Sequence, residues 1–226
     1  MAKVVARAAA EEKPGSSRDT PLLEKVIRES NLPESEKSVY RMSAETNVLL
    51  SAGTETTART LAVAHYYILS RPDVHSRLLK ELRTVMPVPG APVPSTDELE
   101  RLPYLVGVAL EALRISDSVP SRLHRVAPDE DLRYGDTVIP RGTTFGQSNW
   151  FIHTDPDIFP EPNFFNPDRW SGPDSERQRR YLIPFGRGTR MCLGLNLAYA
   201  ELYITLAMVV SDLEMELFET TERAVT

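Results

Sequence analysis

The only cysteine, Cys192, sits in the stretch Phe185-Gly186-Arg187-Gly188-Thr189-Arg190-Met191-Cys192-Leu193-Gly194. Two close glycines, Gly186 and Gly188, let a backbone turn tightly against a flat cofactor. Cys192 stands at the start of the last helical pattern, where unpaired N–H groups and the helix dipole favour an anion. Arg190 adds positive charge suited to a carboxylate on such a cofactor, and the Phe185 ring can screen a thiolate–metal bond from water. A dinucleotide fingerprint would need a third glycine where Met191 stands and an apolar strand before it, but the run Glu176–Arg180 is charged. A nucleophilic cysteine would need a histidine base, and His65, His75, His124 and His153 offer no local pairing. An isolated cysteine is more often a small buried apolar side chain. Within this loop, a thiolate ligand is the better reading.

A second stretch with chemical potential is Ala52-Gly53-Thr54-Glu55-Thr56-Thr57. Glycine costs about 1 kcal/mol in a helix interior and each threonine roughly half that, so the stretch carries a conflict of roughly 2–3 kcal/mol. Two accounts stay open: a widened turn that comes close to a ligand, or a Gly/Thr-rich contact between helices. Glu55 beside Thr56 also offers a proton relay, with Thr56 as donor and Glu55 as its link to solvent. In Glu111-Ala112-Leu113-Arg114, an acid and an arginine three apart share one helix face. Such pairs are usually solvated and worth little. Here the run Tyr104–Leu110 is so apolar that the pair is expected to be at least partly buried, and a buried arginine then needs further partners.

The elements that must position these residues follow from periodicity. Pro33 to Ser70 reads as one long helix, started by Glu34 or Ser35, carried by Val39, Met42, Val48, Leu49 and Leu50, and stopped by Pro72. A second helix is expected over Pro72–Met86, with Val74, Leu78, Leu79 and Leu82 at helical spacing. The four prolines of Pro87–Pro94 form a loop, after which Ser95 and Glu98 make a capping box. A further helix spans Pro103–Ile115. Between Arg122 and Phe145, short β-branched runs broken by Pro128, Gly135, Pro140 and Gly142 predict a small meandering sheet. Asp155–Pro184 is rich in proline and without periodicity, as functional loops of that length usually are. The last helix, Leu195–Ser211, puts Leu197, Ile204 and Met208 on one face, and the alternation Leu213, Met215, Leu217 predicts a closing strand. The class is mainly α with small β-sheets (α+β).

The chain's 226 residues, 41% hydrophobic and 26% charged, are those of an ordinary globular protein with a sizeable core. A formal net charge of −6 gives nucleic-acid binding no support. One cysteine excludes an internal disulfide and a cysteine-cluster zinc site. No apolar run reaches the length of a membrane span. Residues 1–18 are read as a disordered lead-in, and 19–226 as the domain.

Taken in order, Ala-Gly-x-Glu-Thr-Thr, Glu-x-x-Arg, Asn-Pro-Asp-Arg-Trp and Phe-x-x-Gly-x-x-x-Cys-x-Gly resemble the cytochrome P450 family over roughly residues 20–219. Glu-x-x-Arg alone says almost nothing; the cysteine motif is specific. Pro-Ser-Arg-Leu-His-Arg and Asn-Pro-Asp-Arg-Trp look most like fungal microsomal members of secondary metabolism, the trichodiene oxygenase-like group. The resemblance implies a partial P450 fold, from the long central helix through the ligand loop to the last helix. It also implies heme b with Cys192 as the axial thiolate ligand, a ligation that favours O–O cleavage. Arg190 and Arg125 match positions that contact the heme propionates, while Phe185 packs beside the sulfur. Gly186, Gly194, Ala52 and Gly53 complete the cofactor-binding set, with Ala52 and Gly53 on the oxygen groove. Glu55 and Thr56 deliver protons, and Glu111, Arg114 and Arg169 form a structural triad. The implied activity is monooxygenation of a small apolar substrate with O2 and electrons from an NADPH-dependent reductase. The family's location is the endoplasmic reticulum membrane; this sequence, as given, carries no anchor and is expected to be soluble and to face the cytosol. The family is roughly twice as long, so the N-terminal half and the closing hairpin are expected to be missing. The alternative is a truncated, catalytically inactive heme-binding fragment; an isomerase or dehydratase is disfavoured by the intact Glu55–Thr56 pair.

Overall fold

Ser38 decides where the long helix begins. In the computed structural model, which describes residues 22–225, the chain divides into two units, residues 1–55 and 56–226. The expected lead-in 1–18 lies outside the described residues. Helix α1 (Leu22–Glu29) is followed by a 3-10 turn at Glu34–Lys37. Ser38 is then extended (φ −60°, ψ 152°), and its hydroxyl accepts from the Arg41 N–H at 3.3 Å. Helix α2 therefore runs Val39–Ser70, not from Pro33 as periodicity predicts, because Ser38 caps it. In the first unit Arg41 pairs with Glu36 and Glu45, both exposed and worth little.

In the second unit, α3 (Pro72–Leu82) carries proline in its first turn, where no N–H bond is lost. It ends four residues short of the expected Met86, the chain passing through turns to that buried side chain. Ser95 and Glu98 form the capping box of the short α4 (Thr96–Leu99). Helix α5 (Pro103–Ile115) has no side-chain cap of its own. Instead both oxygens of Glu81 reach across from α3 and accept from the Tyr104 and Leu105 N–H groups at 2.9 and 2.8 Å. From Gly107 to Ile115 every residue of α5 is buried, so it is the central strut of the unit. The core around it takes Val63, Ala64 and Ile68 from α2, Leu78 and Leu82 from α3, and Leu206 and Val210 from α8 (Leu195–Asp212).

Strands β1 (Leu123–Val126) and β4 (Thr144–Gln147) pair antiparallel, with Arg125 opposite Phe145. Inside them β2 (Leu132–Tyr134) and β3 (Thr137–Ile139) form a separate hairpin, turned by Gly135 at φ +56°. The expected single meander is thus two nested ladders. Short α6 (Asn149–His153), a 3-10 turn at Pro167–Trp170 and α7 (Ser175–Tyr181) punctuate the proline-rich stretch, and α9 (Glu222–Val225) ends the described chain. The expected α+β class, mainly helical with small sheets, holds.

Two further expectations do not. Residues 213–219 form no strand: Leu213, Met215 and Leu217 alternate, yet no described neighbour offers them a ladder. On α8, Leu197 and Met208 lie on the exposed side, and Leu202, Tyr203, Leu206 and Val210 fill the core instead. Among the described residues no helix is long and apolar enough to cross a membrane.

Candidate functional site: the Cys192 loop and its buried support

Ile183, Pro184 and Phe185 leave α7 and lead into a tight turn. Gly186 (φ +69°) and Gly188 (φ +80°) both occupy the left-handed region, where a side chain would be strained. A Cβ at either would meet nothing within 4 Å, so the demand for glycine there is conformational, and the space before the turn is open. A 3-10 turn, Gly188–Arg190, follows, and the Cys192 N–H then donates to the Phe185 carbonyl at 2.9 Å, closing the loop. Gly194 serves as the N-cap of α8, and a Cβ added there would lie 4.0 Å from the Cys192 sulfur. The thiol is exposed, not packed into the core. Beside it in sequence Met191 and Leu193 are exposed, the latter by 93%, and Arg190 is exposed too. Phe185 is half-buried, its ring 5.2 Å from that of Tyr199. Arg125 is half-buried on β1, donating to the His124 carbonyl at 2.8 Å.

Behind this loop lies a buried ionic cluster. Glu111 and Arg114 are fully buried and Arg169 is 7% exposed. One Glu111 oxygen accepts from Arg114 Nη2 (2.8 Å), the Asn166 N–H (3.0 Å) and Arg169 Nε (3.3 Å). Its other oxygen accepts from Arg114 Nε and Trp170 Nε1, both at 3.0 Å. Arg114 spends its remaining fork on the His153 carbonyl (2.7 Å), and Arg169 donates to the Pro160 carbonyl at 3.0 Å. Burial holds the Arg169 guanidinium below its ordinary pKa, with Glu111 opposing the effect. Two cations and one anion here leave an excess positive charge, which carbonyl dipoles solvate in place of water. Asn166, Trp170 and the backbone carbonyls are members that sequence reasoning missed. Trp170 alone carried a signal, since a buried indole N–H needs an acceptor.

Along α2 the helix is unbroken through Ala52–Thr57, so the widened turn expected from helix propensity is not formed. A Cβ at Gly53 would meet nothing within 4 Å among the described residues. Ala52, Gly53 and Glu55 are exposed and Thr56 is half-buried. The Thr56 carbonyl accepts from the Thr60 hydroxyl at 3.0 Å, and Thr57 donates to Glu201 on α8 at 3.2 Å. Glu201 could have been picked out as the one acid in the apolar middle of that helix.

The family model described as cytochrome P450 matches residues 1–225. The chain belongs to the cytochrome P450 family. Among similar curated proteins is the cytochrome P450 monooxygenase ucsK of an Acremonium species, 45% identical over 87% of this chain and 39% of the relative. The monooxygenase astB of Aspergillus terreus is 41% identical over 93% of the chain and 41% of its own length. TRI4 of Trichoderma arundinaceum is 40% identical over 87% and 38%. This P450 chain therefore spans about two fifths of the length of the curated relatives it matches.

A P450 heme asks for one thiolate, an apolar surface for its flat face and cations for its propionates. The residues present fit: an accessible sulfur after a turn that two left-handed glycines permit, exposed Met191 and Leu193 on either side of it in sequence, and Arg190 close by in sequence.

Proposed function

We propose that this P450 chain is the heme-binding segment of a monooxygenase of fungal secondary metabolism. It would insert one oxygen atom from O2 into a small apolar substrate with electrons from an NADPH-dependent reductase. The observation that carries the reading is the accessible Cys192 thiol on a loop closed by the Cys192–Phe185 backbone bond. When bound, heme b supplies the redox and oxygen-activating chemistry. Cys192 would hold it by its thiolate, and Gly186 and Gly194 would let the backbone come close. Phe185 would shield the sulfur, tuning the centre through the exclusion of water. Arg190 and Arg125 would bind its carboxylates as charge-assisted donors. Ala52 and Gly53 leave room beside the long helix, while Thr56 holds a proton at Oγ1 and Glu55 resupplies it from solvent. Glu111, Arg114 and Arg169 hold the 155–184 stretch that leads to the ligand loop. By family, the work is done at the endoplasmic reticulum membrane.

Heme added to the purified chain should give, on reduction and CO binding, the Soret band of a thiolate-ligated iron, and Cys192→Ala should lose it. A thiolate band that survives in Cys192→Ala overturns the ligand assignment. Turnover with a reductase separates the enzyme from the second reading, a heme-binding segment without activity, which the coverage of its relatives keeps in play. Heme binding with no O2-dependent product favours the latter.

A further inference from the structure

Ile183 is the last residue before the proline that opens the Cys192 turn, and both of its backbone polar groups are taken. Its N–H donates to the His153 Nε2 at 3.0 Å, and its carbonyl accepts from the Asn149 side chain at 2.9 Å and from the Gly186 N–H at 3.0 Å. His153 and Asn149 are the two ends of α6, which Ser148 caps by accepting from the Trp150 N–H. His153 is 2% exposed, with the Phe159 ring edge-on to it at 6.4 Å. The His153 carbonyl accepts from the Arg114 guanidinium at 2.7 Å. His153 thus bridges the buried end of α5 to the root of the turn, its carbonyl on Arg114 and its Nε2 on Ile183; with Nε2 accepting, the neutral ring carries its proton on Nδ1.

We propose that His153 is the positioning residue of the Cys192 loop, fixing Ile183 and through it the turn that presents the thiol. A side chain filling space would not need an acceptor aimed at a backbone N–H, and Asn149 would have no reason to hold the carbonyl of the same residue. The clamp works only while the ring is neutral, because a proton on Nε2 would face the Ile183 N–H and replace attraction with repulsion. Burial first, and the Arg114 charge second, lower the pKa of His153 to about 4. Arg114 is the charge that faces the ring; Glu111 and Arg169 lie beyond it in the same cluster, and Asp155 turns its carboxylate to the Asp157 N–H. Acid should therefore release the turn.

The clamp itself does not depend on heme, although its functional meaning rests on Cys192 being the ligand. Hydrogen exchange of the 226-residue chain reads it directly, after correction for intrinsic rates and with α5 amides as the control for global opening. In the wild type, protection at Ile183 and at Gly186–Cys192 should fall about tenfold or more relative to α5 as the ring protonates, the scale expected for losing a buried hydrogen bond. His153→Gln can accept from Ile183 without titrating and should keep protection over the same pH range. His153→Leu should lose it at every pH. Wild-type protection indifferent to acid, or a His153→Gln profile that falls just as the wild type does, overturns the proposal even if the leucine variant fails to fold. With heme bound, the thiolate Soret band should weaken on acidification in the wild type but not in His153→Gln. Exchange that behaves as described alongside a band indifferent to Cys192→Ala would keep the clamp and reject the ligand assignment, so the two can fail separately.

Discussion

Glu111 shows why a charge with no water around it is a commitment. Five donors converge on its two oxygens, and replacing it strands two buried guanidinium groups. Glu111→Gln should therefore destabilise the chain by about 3–5 kcal/mol, the usual penalty for breaking a buried pair by removing one partner; urea midpoints would measure it, and a loss under about 1 kcal/mol would mean the cluster is far wetter than it looks. The bidentate Arg77–Asp168 pair is as short but half-exposed, so water already does most of its work. His153 gives the residue scale its pH dependence. Its folded pKa of about 4 lies below the ordinary 6.5, so the native state binds fewer protons than the unfolded chain between those values. Stability is fully present above pH 6.5 and declines as pH falls towards about 4. The accumulated loss is on the order of 3 kcal/mol. His153→Gln should flatten that part of the urea-midpoint profile, leaving the slopes due to carboxylates.

At the scale of elements, α5 was legible because its apolar run left Glu111 and Arg114 nowhere to go but inward. What it packs against was not. Gly107 looks like any helical glycine, yet a Cβ there would sit 2.6 Å from the Pro167 carbonyl oxygen, so backbone meets backbone. Because that oxygen cannot swing aside like a side-chain tip, Gly107→Ala should cost about 1–3 kcal/mol despite alanine's better helix propensity; a thermal melt unchanged by the substitution would show the contact to be looser. Helix α8 was misread for the opposite reason. It is apolar nearly all round, and periodicity cannot choose a face where every face qualifies. Of the two accounts open for Ala52–Thr57, the widened turn does not form, since its local cost is too small to interrupt a helix of 32 residues. Leu213–Leu217 alternates as a strand should, but alternation only prepares a strand; a partner edge makes it. The backbone carbonyls that complete the Arg114 and Arg169 forks left no mark in the amino-acid sequence at all.

For the whole molecule, the family was readable from four motifs in order, one of which supplies the candidate site. The apolar side chains left on the surface, Leu193 and Leu197 near the thiol and Val48 and Leu50 on α2, are surfaces awaiting cover. Heme binding to the folded chain alone should raise its melting temperature by about 5–10 °C at a hundredfold excess over Kd, by mass action. Cys192→Ala should forfeit most of that shift; an equal shift in the variant would mean the pigment adheres elsewhere. The Glu111 cluster also constrains how this molecule is made. Arg114 meets Glu111 within one helix, while Asn166, Arg169 and Trp170 arrive some fifty positions later and supply the other three donors. The carboxylate is thus a keystone: a chain interrupted during synthesis before Asn166 would leave Glu111 answered by Arg114 alone, with the other three donors still to come.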